Sequence, residues 1–319
     1  MKVGLVGAGY MAKTHAAALR SLGADLVGVY GTDGEAVRKL AEQSHIQVFA
    51  SLDELLEAVE IVDLCTPTDT HEELTVAAAQ ASRHVICEKP IALSPESGER
   101  MIAACEAAGV RLFIALVLRF FPQYRAARAQ VAAGAIGQPE LLRLMRTTSP
   151  PAFGGDWYFD GARSGGALLD LLIHDLDYAR WVAGEVTQVY AQQRKGGGRS
   201  YAQVMLSHAS GALSLVEGGW AYPPGLFRTS LDLSGDAGLI EWSTDAAPTL
   251  RLFEPPGEPA EPGLPNDPAQ DPYAAELAHA LHCIEHGEAF EVTPQDALAA
   301  LRLSLAARNS VRTGRAVGV

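Results

Sequence analysis

The chain opens with Lys2-Val-Gly-Leu-Val-Gly-Ala-Gly-Tyr-Met-Ala-Lys-Thr-His15, followed by Ala-Ala-Ala-Leu-Arg-Ser-Leu-Gly23, and this stretch decides the fold. Residues 2–6 are apolar and β-prone, which predicts a buried strand. Side chains suited to a buried helix face then recur at helical spacing, at Met11, Ala12, His15, Ala18, Leu19 and Leu22. The sequence therefore predicts a strand, a tight turn and a helix at the start of the chain.

The turn itself, residues 7–12, reads Gly-Ala-Gly-Tyr-Met-Ala and has the form G-x-G-x-x-A. Gly7 suits the tight turn, and Gly9 lets backbone amides approach a pyrophosphate at the helix N-terminus. A glycine-rich turn often serves only as a turn. Its place between a strand and a helix favours dinucleotide binding, with Gly7, Gly9, Tyr10 and Met11 as predicted cofactor contacts.

Length and charge limit the class of protein. With 319 residues the chain is long enough for two domains. The net charge of −13 argues against a nucleic-acid or anionic-membrane partner. No apolar run approaches the ~20 residues of a membrane span. The glycine fingerprint interrupts any apolar signal-peptide core, and the four cysteines lack metal-ligand spacing, so we expect free thiols and a cytoplasmic protein without a metal site.

The rest of the chain divides near residue 118. Strand and helix alternate up to a strand predicted at 110–118, which indicates a doubly wound parallel sheet in a dinucleotide-binding domain at 1–118. Ser51 to Glu54 and Thr70 to Glu73 have capping-box spacing. Residues 119–319 are predicted to form a second, α+β domain. In it, 166–182 is expected to be helical, 186–253 a mainly antiparallel open sheet, and 254–272 a loop.

Several separated motifs resemble the Gfo/Idh/MocA family, the glucose-fructose oxidoreductase and inositol dehydrogenase group. They are the fingerprint at Gly7, Cys65-Thr-Pro67 with His71, Glu88-Lys-Pro90, Arg119-Phe-Phe-Pro122, and Gly165-Gly with Asp170 and His174. The resemblance covers both predicted domains, and the order and spacing of the motifs make it specific.

Three residues are candidates for catalysis. Lys89 follows a predicted parallel strand at its carboxyl end, where such sheets bind ligands, although a lone Lys-Pro is more often a surface turn. Asp170 and His174 are four residues apart in the predicted helix, a spacing that serves general-base chemistry or merely stabilises the helix. The family resemblance implies that all three are catalytic, with Lys89 and His174 also contacting substrate, and that the Lys89–Pro90 peptide is cis.

The resemblance also implies further cofactor contacts. Thr66, Pro67 and His71 match a family loop that passes the nicotinamide and its ribose, although such residues also begin helices. Glu88 is placed among the predicted cofactor contacts with Lys89.

Two more positions match family motifs. Arg119 is expected at the domain junction, as a cofactor or substrate contact or as half of a structural salt bridge. Trp157 is expected to stack on a substrate or to plug the interface between the domains.

The cofactor choice depends on the end of the second strand. NAD-binding folds usually carry an acid there that holds the ribose 2′-hydroxyl. Here that place is Gly31, followed by Thr32 and Asp33, and an alternative role for Asp33 is to cap the next helix. Losing the acid removes repulsion against a 2′-phosphate, and Thr32 could donate to it. Both NADP and NAD fit, and the pattern leans to NADP.

The predicted function is an NAD(P)-dependent oxidoreductase that interconverts a secondary alcohol and a ketone on a sugar, inositol or related polyol. The substrate site is expected where the two domains meet. A non-catalytic regulator of the same fold, or a reductase of an imine or non-sugar ketone, are the alternatives. The open sheet predicts a homodimer or homotetramer.

Overall fold

The structure is a computed structural model that describes residues 1–151, 156–245, 251–253 and 271–319. Two compact units are present. The first contains Met1–Val117 and the described parts of Phe153–Ser164 and Gln270–Leu301. The second contains the described parts of Leu118–Ala152 and Gly165–Ala269, with Arg302–Val319. The first unit is made of three separate segments of the chain, and the single division at residue 118 stays a prediction.

Strands and helices are numbered in chain order. The strands are β1 Lys2–Val6, β2 Asp25–Tyr30, β3 Gln47–Val48, β4 Ile61–Leu64, β5 His84–Glu88, β6 Leu112–Ala115, β7 Pro139–Thr148, β8 Val186–Gly196, β9 Arg199–His208, β10 Leu213–Trp220, β11 Phe227–Gly235, β12 Leu239–Ser243, β13 Arg251–Phe253 and β14 Val317–Gly318. The helices are α1 Tyr10–Ser21, α2 Gly34–Ser44, α3 Leu52–Ala58, α4 His71–Gln80, α5 Pro95–Ala108, α6 Pro122–Ala132, α7 Gly161–Ser164, α8 Ala167–Asp170, α9 Ile173–Ala183, α10 Pro272–His286 and α11 Pro294–Thr313.

The sheet of the first unit has the order β3-β2-β1-β4-β5-β6, and all its neighbouring strands are parallel. This is the predicted doubly wound fold. The strands β4 and β6 are buried along their whole length because helices cover both faces. The carboxyl ends of β1, β4 and β5 lie side by side, which is where such a sheet binds ligands.

Local signals placed several helix starts correctly. Ser51 accepts a hydrogen bond from Glu54 N, and Ser94 accepts one from Ser97 N, with Pro95 at the first position of α5. The second predicted capping box is wrong. The Thr70 hydroxyl instead donates to the Pro67 carbonyl and lies 2.8 Å from Thr66 Oγ1, so it closes the preceding 3₁₀ turn.

Two predicted elements are shorter in the structure. The strand predicted at 110–118 ends at Ala115, and Val117–Phe120 forms a 3₁₀ turn. Val117 and Leu118 are as buried and apolar as the strand, so hydropathy does not mark where the strand ends. The helix predicted at 166–182 is interrupted at Leu171 and Leu172, between α8 and α9. Asp170 and His174 therefore do not share one regular helix face.

The second unit contains a sheet of order β13-β12-β11-β7-β10-β9-β8-β14. Its pairings are antiparallel except β7 with β10, which confirms the prediction of a mainly antiparallel sheet. Helices α8 and α9 contact its middle strands. The predicted loop at 254–272 lies almost wholly outside the described residues.

Candidate active site

The fingerprint turn joins β1 to α1 and needs glycine at its first position. Gly7 has φ +105°, and a side chain there would collide with the carbonyl oxygen of Cys65 at the end of β4. The Gly7 amide donates to the Tyr30 carbonyl at 2.8 Å, which fixes the turn over the neighbouring strand β2. The backbone is thus held in one conformation before any ligand binds.

The second glycine of the turn has a different reason. Gly9 has an ordinary φ of −75°, and a Cβ placed on it would meet nothing within 4 Å. It is the N-cap of α1 and, having no side chain, leaves the first amides of the helix to other acceptors. Tyr10 is half exposed beside it and Met11 is partly buried. An open glycine before uncapped helix amides fits a dinucleotide pyrophosphate.

The end of β2 carries no free acid next to Gly31. Thr32 is exposed, and Asp33 Oδ1 accepts hydrogen bonds from the amides of Glu35 and Ala36 at 3.2 and 3.1 Å. Asp33 is therefore the N-cap of α2, as one of the two interpretations of the sequence proposed.

The loop after β4 is tied to the loop after β5 by His71, which is fully buried. Its Nδ1 lies 2.9 Å from the Pro90 carbonyl oxygen and its Nε2 lies 3.0 Å from the Thr66 carbonyl oxygen. Burial lowers the pKa of His71 against the opposing effect of these carbonyls. The ring holds the two loops together, and Thr66 and Pro67 form the partly exposed part of the turn.

Lys89 stands directly after β5, is partly buried, and precedes a cis Lys89–Pro90 peptide, as the resemblance implied. Its backbone N–H donates to Oε2 of Glu88 at 3.0 Å. The carboxylate of Glu88 is 6% exposed and so supports the lysine from inside the fold. The structure thus brings the fingerprint turn, the Thr66 loop and Lys89 to adjacent strand ends.

In the second unit, Asp170 ends α8 with 9% exposure, and His174 is partly buried in the first turn of α9. Gly165 and Gly166 before them both have positive φ, and a side chain on Gly165 would press against Leu169. The glycine pair therefore sets the path of the chain into α8.

Two buried ion pairs hold α9, and the identity of the partners in either pair could not be predicted from the sequence. Arg119 Nε and Nη2 donate to Asp177 at 2.7 and 2.6 Å, and Arg119 is 2% exposed. Arg146 Nε and Nη2 donate to Asp175 at 2.6 and 3.2 Å. Burial raises the pKa of Asp175, and Arg146 opposes this effect. The structure contains the salt bridge of Arg119, and its contact with cofactor or substrate stays a prediction.

Trp157 lies in a short 3₁₀ turn, Asp156–Tyr158, and is partly buried. Its ring centroid is 4.1 Å from that of Tyr158, with the planes tilted by 31°. Its predicted contact with substrate stays a prediction.

One group of side chains in the described residues comes within metal-ligand range, namely His15, Asp63 and Cys65. Their separations of 2.9 Å between His15 and Asp63, 3.4 Å between His15 and Cys65 and 3.6 Å between Cys65 and Asp63 are also hydrogen-bonding distances. Burial raises the pKa of the Cys65 thiol, and the three side chains form a hydrogen-bonded cluster. All four cysteines are buried and free, and no described helix is long and apolar enough to cross a membrane.

The fold and the fingerprint define a class, that of oxidoreductases with an NAD-binding Rossmann domain. The model of the oxidoreductase family with an NAD-binding Rossmann fold matches residues 1–116, and that of the GFO/IDH/MocA C-terminal domain matches residues 124–241. The chain belongs to the Gfo/Idh/MocA family of dehydrogenases and reductases.

Similar proteins span the whole chain. A myo-inositol 2-dehydrogenase of Thermotoga maritima is 30% identical over 99% of this chain and 98% of its own. A D-apiose dehydrogenase of Paraburkholderia graminis is 30% identical over 99% of this chain and 89% of its own. The structure of an Agrobacterium radiobacter oxidoreductase in complex with NAD+, L-tartaric acid and magnesium has a TM-score of 0.88 at 25% identity, covering 100% of this chain and 98% of that one.

Proposed function

We propose that this enzyme interconverts a secondary alcohol and a ketone on a sugar, an inositol or a related polyol. The observation that carries the proposal is the joint placement of an open dinucleotide cradle and Lys89 at adjacent strand ends of one parallel sheet. The inositol and apiose dehydrogenases among its relatives support the substrate class.

The cofactor would be held by this chain's backbone more than by its side chains. The amides of Gly9, Tyr10 and Met11, at the start of α1, would hold the pyrophosphate, and the Thr66–Pro67 turn would hold the nicotinamide half. When bound, the nicotinamide ring supplies the acceptor or donor of hydride. Because both nitrogens of His71 already face backbone carbonyls, its contribution is to position the loop.

Three side chains carry out the proton chemistry. The Lys89 ammonium stabilises the negative charge that develops on the substrate oxygen. His174 takes the hydroxyl proton during oxidation and returns it during reduction. Asp170 tunes the basicity of His174. The ion pairs of Arg119 and Arg146 keep α9, and with it His174, in place.

We infer that the enzyme accepts NADP as well as NAD. Gly31 presents no carboxylate to a 2′-phosphate, and Asp33 is occupied as a helix cap. The exposed Thr32 hydroxyl offers a donor. A related structure bound to NAD+ supports binding of the unphosphorylated form.

We also propose a homodimer or homotetramer that packs through the sheet of the second unit. The outward side chains of that sheet include Met205 and Leu213, which are 44% and 43% exposed. Met205 lines a concavity of about 510 Å³ whose lining also includes Met145 and Leu215. Exposed apolar side chains at such a surface are typical of an interface.

The test of function is steady-state kinetics with NAD+ and NADP+ on a panel containing myo-inositol and D-apiose. His174→Ala should lower kcat by roughly two to four orders of magnitude, the usual worth of general-base help. Lys89→Ala should lose a comparable factor, and Asp170→Asn less. Cofactor affinity should hardly change, because the fingerprint turn binds the pyrophosphate.

Matched controls come from exposed pairs on the surface. His282→Ala removes an exposed histidine beside Glu288, and Lys39→Ala removes an exposed lysine paired with Glu35. Both should keep wild-type kcat. The rate of oxidation should rise with pH through a group near neutrality, and this limb should vanish only in His174→Ala. A fully active His174→Ala enzyme with the wild-type limb would refute the mechanism.

A further inference from the structure

A buried histidine that the proposed mechanism does not use lies between two carboxylates. His15, in α1, is 0% exposed. Its Nδ1 is 2.9 Å from Asp63 Oδ2 in β4, and its Nε2 is 3.2 Å from Glu88 Oε1 in β5. The second contact is poorly directed for a hydrogen bond and acts mainly between charges. An imidazole that faces a carboxylate at each nitrogen is best satisfied when both nitrogens carry protons.

The electrostatic environment agrees with this geometry. Burial acts to lower the pKa of His15, but Asp63 together with Cys65 outweighs it and holds that pKa well above its ordinary value. Burial acts to raise the pKa of Glu88, but His15 and Lys89 outweigh it and lower that pKa. The pair is therefore a buried imidazolium and a buried carboxylate.

Glu88 connects His15 to the backbone of Lys89. Its Oε1 faces His15, while its Oε2 accepts the backbone N–H of Lys89 at 3.0 Å. Asp63, His15, Glu88 and the Lys89 amide thus form one continuous chain of contacts inside the first unit. A carboxylate held at both oxygens cannot rotate, so the backbone from which the Lys89 side chain projects is fixed.

The remaining titratable groups around His15 come from α10, which packs on α1. Glu276 is fully buried, and its carboxyl oxygens have no hydrogen-bond donor in the described part of the chain. Burial and then Glu88 raise the pKa of Glu276 well above its ordinary value, against His15, and Asp63 adds to the rise. Burial and Glu88 also raise the pKa of Tyr273. Both groups stay neutral, so the negative charges that balance a protonated His15 come from Asp63 and Glu88.

We propose that His15 is a positioning residue for the reaction, which holds Glu88 and, through Glu88, the backbone of Lys89 in the geometry that the lysine needs. The proposal rests on the proposed catalytic role of Lys89. It also joins the helix that begins at the fingerprint to the loop that carries the lysine, so the cofactor turn and the lysine share one support.

The first arm of the test needs no substrate. In protein labelled with ¹⁵N-histidine, the His15 signals are assigned by their loss in His15→Gln. We expect two ring N–H protons on His15 at about pH 8, far above the ordinary titration of histidine. A single ring N–H there would overturn the charged pair. Stoichiometric zinc in the purified protein, with His15 signals that change on chelation, would overturn it in favour of a metal site.

The second arm measures kcat for ketone reduction as a function of pH. In this direction His174 must be protonated at the start, so kcat of the wild-type enzyme should not fall toward acid pH. His15→Gln should lower kcat about 10- to 100-fold, the scale of a small misplacement of a reacting group, with the KM for cofactor unchanged. Loss of His15 should raise the pKa of Glu88. The kcat of His15→Gln should therefore fall toward acid pH, where Glu88 becomes protonated. This fall toward acid pH should be absent from the double variant His15→Gln/Glu88→Gln. The kcat of the double variant should be no lower than that of the slower of the two single variants.

Glu276→Gln is the matched control, since it changes a buried carboxyl beside the same cluster and should keep wild-type kcat and pH profile. Asp63→Asn provides a second route to the same loss if His15→Gln folds poorly. A merely structural role predicts lower thermal stability with an unchanged profile, and that result, or wild-type kcat in His15→Gln, would refute the proposal. If the wild-type enzyme turns over no ketone, the proposed function fails while the NMR arm still decides the charge of His15.

Discussion

Gly7 has no room for a side chain, because a Cβ there would collide with the carbonyl oxygen of Cys65, where β1 and β4 end side by side. Gly9, two residues on, faces open space. The two glycines of one fingerprint are therefore required by different partners, the first by the protein and the second by its ligand. This difference can be measured.

Gly7→Ala should lower the free energy of unfolding by roughly 2–4 kcal/mol, because it combines a strained φ with a backbone collision. Gly9→Val should cost at most about 1 kcal/mol, the scale of a poorer N-cap. It should weaken NAD(P)H binding about tenfold or more, since the side chain occupies the pyrophosphate's approach. Chemical denaturation and fluorescence titration measure the two effects. Wild-type NAD(P)H affinity in Gly9→Val would refute the cofactor assignment.

Gly31→Asp should move the cofactor preference toward NAD. The new carboxylate would stand where NAD-binding folds hold the ribose, and it would repel a 2′-phosphate, a like-charge contact that costs up to several kcal/mol. Its Cβ would approach Val37 to 3.0 Å, which a small side-chain shift relieves. We expect the ratio of kcat/KM for NADP to that for NAD to fall at least about tenfold. An unchanged ratio would show that Gly31 does not border the ribose.

Glu276→Gln should stabilise the protein, and more so as the pH rises. An acid whose pKa is raised in the folded state binds its proton more tightly there, so folding loses stability as the pH rises above the ordinary value of 4.5. Glutamine cannot ionise and removes this slope. Thermal unfolding from mildly acidic to mildly alkaline pH measures the difference. A gap between variant and wild type that shrinks with rising pH would contradict a neutral Glu276.

Sedimentation at micromolar concentration should show a dimer or tetramer. Met205→Asp should shift it toward the monomer, because the change places a charge at the centre of the proposed interface while Met205 is exposed within the subunit. Asp25→Asn, at an exposed position in the first unit, is the control and should leave assembly unchanged. A wild-type monomer would refute the proposed interface.

The first sheet could be predicted because each of its signals is local. The strand before Gly7, the turn and the helix after it are consecutive in the sequence, and Ser51 and Ser94 cap helices within their own next turn. Hydroxyls with a choice of partner were less predictable. Thr70 has the spacing of a cap, but the Pro67 carbonyl is a nearer acceptor in the folded turn.

The supports of the candidate site could not be predicted because they join distant residues. Arg119 and Asp177 are 58 positions apart, and His15 and Asp63 are 48 apart. His15 fits the apolar face of α1, so its spacing resembles that of a core residue. Only the fold shows that this face meets two carboxylates. The candidate catalytic residues came from motifs, and their roles stay predictions.

The packing of α10 on α1 has a consequence for synthesis of the chain. Everything in the parallel sheet is encoded before residue 118, yet the helix that covers the His15 side of α1 ends at His286. At ordinary ribosomal speeds this delay is roughly 10 to 30 seconds. During that time the face of α1 that packs against α10 is uncovered, and the His15, Asp63 and Glu88 side chains lie next to it. We therefore expect a fragment that ends at residue 118 to be less stable than one that also contains α10, because this face of α1 would stay uncovered.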